Sequence, residues 1–121
     1  MVAANHFGRG ILLNASSVTE AQTSEIFQDK RHGVRKTVVC VHSTVDCTTA
    51  DSTGEPLVIE VEDPTTENTS TTFQPFTLTT LDITANTLEK VIIDAGAGSR
   101  IRCRIRPNSS ADIKIWAWSS D

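Results

Sequence analysis

The residues best suited to chemistry in this chain are its thiols and a histidine that lies between two of them. Cys40, His42 and Cys47 follow one another closely, and thiolate and imidazole groups are the ligands that zinc prefers. Cys40 and His42 would share one face of a strand, whereas Cys47 falls in a polar loop, and no fourth ligand is evident. The pattern therefore predicts no metal site and no cofactor.

The same thiols are better explained as buried side chains. The sequence contains three cysteines, and an odd, widely spaced set is not typical of a disulfide framework. Cys40 and Cys103 both lie among apolar neighbours in strand patterns, where a free cysteine behaves as a small hydrophobic residue. We predict that both are buried free thiols.

No motif in the sequence predicts catalysis. The sequence contains no Gly-x-Ser-x-Gly elbow and no Cys-His or Ser-His-Asp set at a plausible spacing. The glycine-rich segment 95–98 follows one predicted strand and precedes another, which is typical of a turn and not of a phosphate-binding loop. We predict no catalytic residues and a protein that is not an enzyme.

A row of arginines near the C-terminus is the most distinctive charged feature. Its members are Arg100, Arg102, Arg104 and Arg106. They alternate with apolar residues, so a strand displays them all on one face and buries the residues between them. Three interpretations remain open. The arginines pair with Glu60 and Glu62 on a neighbouring strand, form a docking surface for an acidic protein, or contact nucleic acid, which the overall negative charge opposes.

Two tryptophans occupy a second alternating segment at the end of the chain. The pattern turns Ile113, Ile115 and Ala117 towards the core and Trp116 and Trp118 outwards, although the opposite assignment is open. Outward tryptophans favour a subunit interface, where this residue is enriched. Packing over the sheet and stacking on a carbohydrate are the alternatives.

These segments belong to a series of short predicted strands. Further strands are predicted at 35–44, 57–62 and 88–94, and polar loops at 46–56 and 63–72. About seven or eight short strands at regular spacing, with turn signals and no helical period, are typical of one fold class. We predict an all-β protein, an antiparallel, jelly-roll-like β-sandwich.

The first residues are poor in strand formers, and we predict a flexible N-terminal arm over 1–14 followed by one sandwich domain over 15–121. A short strand over 11–13 is the alternative. An arm of this kind would contact a partner, and the residues assigned to that contact are Phe7, Arg9, Ile11, Leu12 and Leu13.

Composition excludes some classes of function. The chain has 121 residues, a formal net charge of −4 and 38% apolar residues, which argues against a general nucleic-acid binder. Neither a signal peptide nor a membrane span is evident, so we expect synthesis in a reducing cytosol and no membrane partner. The small apolar fraction suggests that oligomerisation supplements the core.

The order of the segments resembles that of a known group. A Ser/Thr-rich start at 15–21 leads into short strands at 24–27 and 37–41, then an Ile-Glu-Val segment at 57–61 and the two closing alternating strands. This resembles the small β-sandwich accessory proteins of tailed-phage virions, in particular capsid decoration (cement) proteins.

The resemblance implies a non-enzymatic virion protein that is made in the host cytoplasm. Such a protein binds the major capsid protein on the exterior of the assembled capsid, often as a trimer, and strengthens the shell. The alternatives are a neck, tail or fibre-attachment module of the virion, or a small carbohydrate-binding β-sandwich.

Overall fold

A computed structural model describes residues 9–29, 36–50, 53–62, 73–94 and 99–120 of the chain. Eight strands and no helix occur in these residues, which confirms the all-β prediction. The strands are β1 (Arg9–Val18), β2 (Gln22–Thr23), β3 (Lys36–Ser43), β4 (Glu55–Glu62), β5 (Pro75–Leu81), β6 (Glu89–Ile93), β7 (Ile101–Arg106) and β8 (Ala111–Ser120).

The strands form two four-stranded antiparallel sheets. One has the order β1-β8-β3-β6, and we call it the tryptophan sheet because β8 carries both tryptophans. The other has the order β2-β7-β4-β5, and we call it the arginine sheet because β7 carries the arginine row. The predicted β-sandwich is therefore confirmed, and consecutive strands β7 and β8 lie centrally in opposite sheets.

The core lies between the two sheets and follows from strict alternation along β7 and β8. Ile105 of β7 and Ile115 of β8 are at most 1% exposed, and each burial stabilises the fold by about 1.5–3 kcal/mol. The other inward residues of these two strands are Ile101, Cys103, Ala111, Ile113 and Ala117. The prediction that the tryptophans face outwards is confirmed, and the opposite assignment is wrong.

The N-terminal boundary of the domain differs from the prediction. Strand β1 begins at Arg9 and pairs with β8 as far as Val18 opposite Ala111, so residues 9–14 are strand and the predicted arm over 1–14 is wrong there. The physical reason is non-local, because β8 supplies the hydrogen-bonding partner that local composition could not reveal. Residues 1–8 lie outside the described residues.

A β-bulge explains why β1 contributes two consecutive leucines to the interior. The register of β1 against β8 shifts between Ile11 and Leu13, and an extra residue at such a shift breaks the strict alternation of faces. Leu12 is consequently 2% exposed within the core, and Leu13 packs against that core. Ile11 remains outside and is 55% exposed.

Candidate interaction surfaces

The arginine row is bound to carboxylates of the same chain. Arg102 lies directly opposite Glu60 across the β4–β7 pair, and its Nε donates a hydrogen bond to Glu60 Oε1 at 2.9 Å. Arg104 Nε lies 3.2 Å from the other oxygen of Glu60, and Arg100 Nη1 donates to Glu62 Oε2 at 2.6 Å. The pairing interpretation of the arginines is therefore confirmed.

Burial of the two carboxylates makes this network structural. The side chains of Glu60 and Glu62 are only 4% and 5% exposed beneath the arginines. A carboxylate removed from water needs a nearby cation and hydrogen-bond donors to be tolerated. The guanidinium group of Arg102 also lies over the ring of Phe73, with its carbon 4.3 Å from the ring centroid.

The fourth arginine does not join the network. Arg106 lies opposite Glu55, and its Nε is buried without a hydrogen-bond partner in the described part of the chain. With three of the four guanidinium groups already engaged, the arginine sheet offers little unpaired charge to an acidic partner.

The second candidate surface is the outer face of the tryptophan sheet. Trp116 lies between Ile11 of β1 and Cys40 of β3, and Trp118 lies opposite Val38 of β3. Residues directly opposite one another in an antiparallel pair point to the same side of the sheet. This outward group, which we call the aromatic face, comprises Ile11, Val38, Cys40, Ile92, Trp116 and Trp118.

The aromatic face is unusually apolar for a solvent-facing side of an antiparallel sheet, which is normally polar. Ile11 and Ile92 are 55% and 59% exposed at its two sides, and both tryptophans are half-buried. Val38 and Cys40 are at most 5% exposed although they point away from the core. Neighbouring side chains on the same face, including the two indoles, shield them from water.

Lysines surround this apolar surface. Lys114 and Lys90 lie opposite outward residues of β3 and are exposed, and Lys114 Nζ is 5.6 Å from the centroid of the Trp116 ring. The acidic residues with the same outward alternation, Asp94 and Asp112, are near the strand ends, and Asp112 accepts a hydrogen bond from the backbone of Ser17. Lys36 has the same outward alternation on β3 and is also exposed, so three lysines and two aspartates border the apolar surface and the rim is slightly basic.

The predicted arm residues separate into different environments. Leu12 belongs to the core, which corrects its assignment to a partner contact, and Leu13 is partly buried against that core. Ile11 is exposed on the aromatic face, and Arg9 begins β1 opposite Trp118. Phe7 lies outside the described residues.

Cys40 and Cys103 are buried free thiols, as predicted, and Cys47, which the sequence interpretation placed in a polar loop, is also buried. Burial raises the pKa of Cys103 to about 12, and it also raises the pKa values of Cys40 and Cys47. The Cys47 thiol contacts the Ser43 hydroxyl at 3.5 Å, away from the face that Cys40 shares with His42. Among the described residues, no group of three histidines, cysteines or carboxylates could hold a metal ion.

The sequence interpretation missed Phe73, Ile92 and the basic rim. Ile92 could have been found, because it lies between Val91 and Ile93 in an unbroken apolar run, where one member must point outwards. The position of Phe73 beneath the arginines carries no such signal, since it depends on how the chain returns after a long polar segment. No helix in the described residues is long and apolar enough to cross a membrane.

Comparison with known proteins identifies the fold. No protein-family model and no curated protein matches the sequence. Among solved structures, the chain is similar to the crystal structure of PBSX exported protein XepA, with a TM-score of 0.61 and 17% sequence identity. The similarity covers 99% of this chain and 39% of XepA, so this chain spans well under half of that protein.

Proposed function

We propose that this protein is a non-enzymatic structural component of a tailed-phage virion that binds the exterior of the assembled capsid and stabilises it. The resemblance of the strand order to capsid decoration proteins supports this role. The sandwich fold, which is similar to that of an exported protein of PBSX, is compatible with it. The capsid partner is itself part of the proposal.

The aromatic face is the observation that carries the proposal. Apolar surface that leaves water contributes about 25 cal/mol per Å², and this face presents two tryptophans and two exposed isoleucines in one continuous area. Tryptophan is the residue type most often found at energetic centres of protein interfaces. A domain that worked alone would gain nothing from this arrangement.

The basic rim indicates the chemistry of the partner surface. Lys90 and Lys114 flank the apolar centre, so the complementary capsid surface has an apolar centre and acidic residues around it. Such complementarity raises the rate of association and fixes the orientation more than it raises affinity. The arginine sheet plays no part, because its guanidinium groups stabilise Glu60 and Glu62.

Repetition on the shell would strengthen a modest single contact. A capsid displays many identical sites, and a trimeric protein would engage several of them at once. Linked contacts can raise the overall affinity by about 10²–10⁴-fold without any new interaction. This is why we include a trimer in the proposed function.

Co-sedimentation with empty shells assembled from the major capsid protein tests the proposal. The variant Trp116→Ser/Trp118→Ser removes both indoles from the outer face and should abolish binding. Phe76→Ser is the matched control, because it removes another exposed aromatic ring, 56% exposed, from the arginine sheet. Binding by the double variant at the wild-type level would contradict the proposal, provided that both variants are folded by circular dichroism.

A carbohydrate-binding role is the second candidate, because two indoles lie on one face of the same strand. Their partial burial limits the open ring surface that stacking on a sugar requires. Titration of a glycan panel, followed by tryptophan fluorescence, separates the two. A saturable change in fluorescence would favour carbohydrate binding, and an unchanged signal would count against it.

A further inference from the structure

A cleft of about 430 Å³ opens at one edge of the sandwich. One wall is the apolar stretch Ile11–Leu13 of β1, and the other is the segment from Thr23, the last residue of β2, to Glu25. The backbone N–H of Glu25 donates a hydrogen bond to the carbonyl of Leu12 at 2.9 Å, which fixes the two walls relative to each other.

The carboxylate of Glu25 lines this cleft without a partner. Its Oε2 atom is shielded from water and has no hydrogen-bond donor, and no ion pair to Glu25 occurs among the residues that the structure describes. A carboxylate placed beside leucine side chains without a donor is unfavourable. Glu25 as a whole is only half-buried, so rotation of its side chain would bring Oε2 to the opening, where a cationic group entering the cleft would relieve this cost.

Strand β1 is one edge of the tryptophan sheet, and β6, the opposite edge, presents a cationic and aliphatic surface that complements the cleft. Leu88 and Ile92 are 60% and 59% exposed, and Lys90 lies between them with the same alternation along β6. Lys90 forms no ion pair within the described ranges. We call these three residues the β6 strip, and it presents an ammonium group between two aliphatic side chains.

We propose that the protein associates with copies of itself, with the β6 strip of one copy seated in the β1–β2 cleft of the next and Lys90 paired with Glu25. Because β1 and β6 are the two edges of the tryptophan sheet, the contact joins two different surfaces. Contacts of this kind close into a ring when the rotation between copies permits. The inference rests in part on the proposed function, which includes a trimer.

Both halves of the contact are present in one chain, which favours a second copy over an unrelated basic partner. Charge complementarity and exposed aliphatic groups match between the cleft and the strip, and neither set takes part in the arginine network. Self-association would cover Ile11, Ile92 and Lys90 at the margins of the aromatic face, whereas Trp116 and Trp118 at its centre would remain available to the capsid.

Charge reversal tests the contact directly. Light scattering after size-exclusion chromatography would compare the wild type, Glu25→Lys, Lys90→Glu and the double variant that exchanges the two charges. We expect an oligomeric wild type, dissociation of each single variant with association weakened about tenfold or more, and recovery in the double variant. Glu20→Lys and Lys36→Glu are matched controls on exposed positions and should leave the mass unchanged.

Several outcomes would overturn the inference. These are a monomeric wild type at every concentration tested, single variants that keep the wild-type mass, or a double variant that does not reassemble. Lys90→Glu changes an exposed residue, so it remains informative if Glu25→Lys does not fold. A negative result in this light-scattering experiment would not affect the capsid-binding test with the tryptophan variants. That test measures binding to shells, whereas light scattering measures mass in solution.

Discussion

The carboxylate of Glu60 lies directly across the β4–β7 pair from Arg102, 2.9 Å from its Nε and almost completely covered. The same carboxylate also holds Arg104 at 3.2 Å. One buried carboxylate thus holds two guanidinium groups. The arginine row, which the sequence alone could also present as a docking surface, therefore acts mainly as a stabilising network in the fold.

The two arginines that share Glu60 should differ in their contribution to stability. Arg102→Ala removes the shorter contact and the cover over Phe73, and it should lower the free energy of unfolding by about 1.5–3 kcal/mol. Arg104→Ala is the matched control. Its side chain is 41% exposed, so we expect a loss of less than about 1 kcal/mol. Urea denaturation measures both, and equal losses would contradict this ranking.

Stability should fall at alkaline pH because of Cys103. Burial raises its pKa from 9.0 to about 12, so above pH 9 the unfolded thiol loses its proton while the folded thiol keeps it. The free energy of unfolding then decreases by about 1.4 kcal/mol per pH unit for such a group. The chain contains no tyrosine, so the lysines and the other two thiols are the remaining side chains that titrate in this range.

Cys103→Ala provides the check on that pH dependence. Denaturation between pH 8 and about pH 11 should give a flatter profile for this variant than for the wild type. Cys40→Ala is the control, because the pKa of that thiol is raised less strongly and Lys90 opposes the shift. If the free energy of unfolding of Cys103→Ala falls with pH as steeply as that of the wild type, groups other than Cys103 cause the loss of stability at alkaline pH.

Inward and outward isoleucines should respond very differently to truncation. Ile115 is fully buried between the sheets, and Ile115→Ala should cost about 2–5 kcal/mol through lost contacts and a cavity. Ile92→Ala makes the same chemical change on the aromatic face, where the side chain is 59% exposed, and should cost less than about 1 kcal/mol. Thermal unfolding of the two variants tests the assignment of faces, and a reversed order would refute it.

Gly54 should tolerate no side chain. A Cβ atom there would overlap the Asn108 side-chain oxygen and the backbone carbonyl of Thr48. The same Asn108 oxygen accepts a hydrogen bond from Thr48 N at 2.9 Å, so Gly54→Ala must displace an anchor between two loops. We expect a loss of about 1–3 kcal/mol, measured by urea denaturation. An unchanged midpoint would mean that this loop shifts without cost.

The parts of the fold that follow from local alternation could be predicted from the sequence. In β7 and β8 every second residue is apolar, and this alternation predicts which residues are buried. The same alternation in β7 places the arginines on one face, where Glu60 of the neighbouring strand meets them. Beyond the alternative of a short strand over 11–13, the extent of β1 could not be predicted, because glycine and arginine at its start give no strand signal and its stability comes from pairing with β8. Strand β2 has only two residues, which is too short for any periodicity.

The candidate surfaces were predictable only in part. The outward direction of Trp116 and Trp118 follows from the alternation of β8. Their position on the same face as Ile11 and Ile92 depends instead on the order of strands in the sheet. That order is a non-local property, and no motif in the sequence encodes it. The cleft at Glu25 likewise arises from two segments that meet through a single backbone hydrogen bond to Leu12.

Quantitative mass spectrometry of purified virions would measure whether this protein is a capsid component. We expect it in a fixed ratio to the major capsid protein and in comparable copy number, since every equivalent site on the shell would be occupied. A handful of copies per particle would instead indicate a neck, tail or fibre-attachment module, and absence from the particle would contradict a virion role altogether.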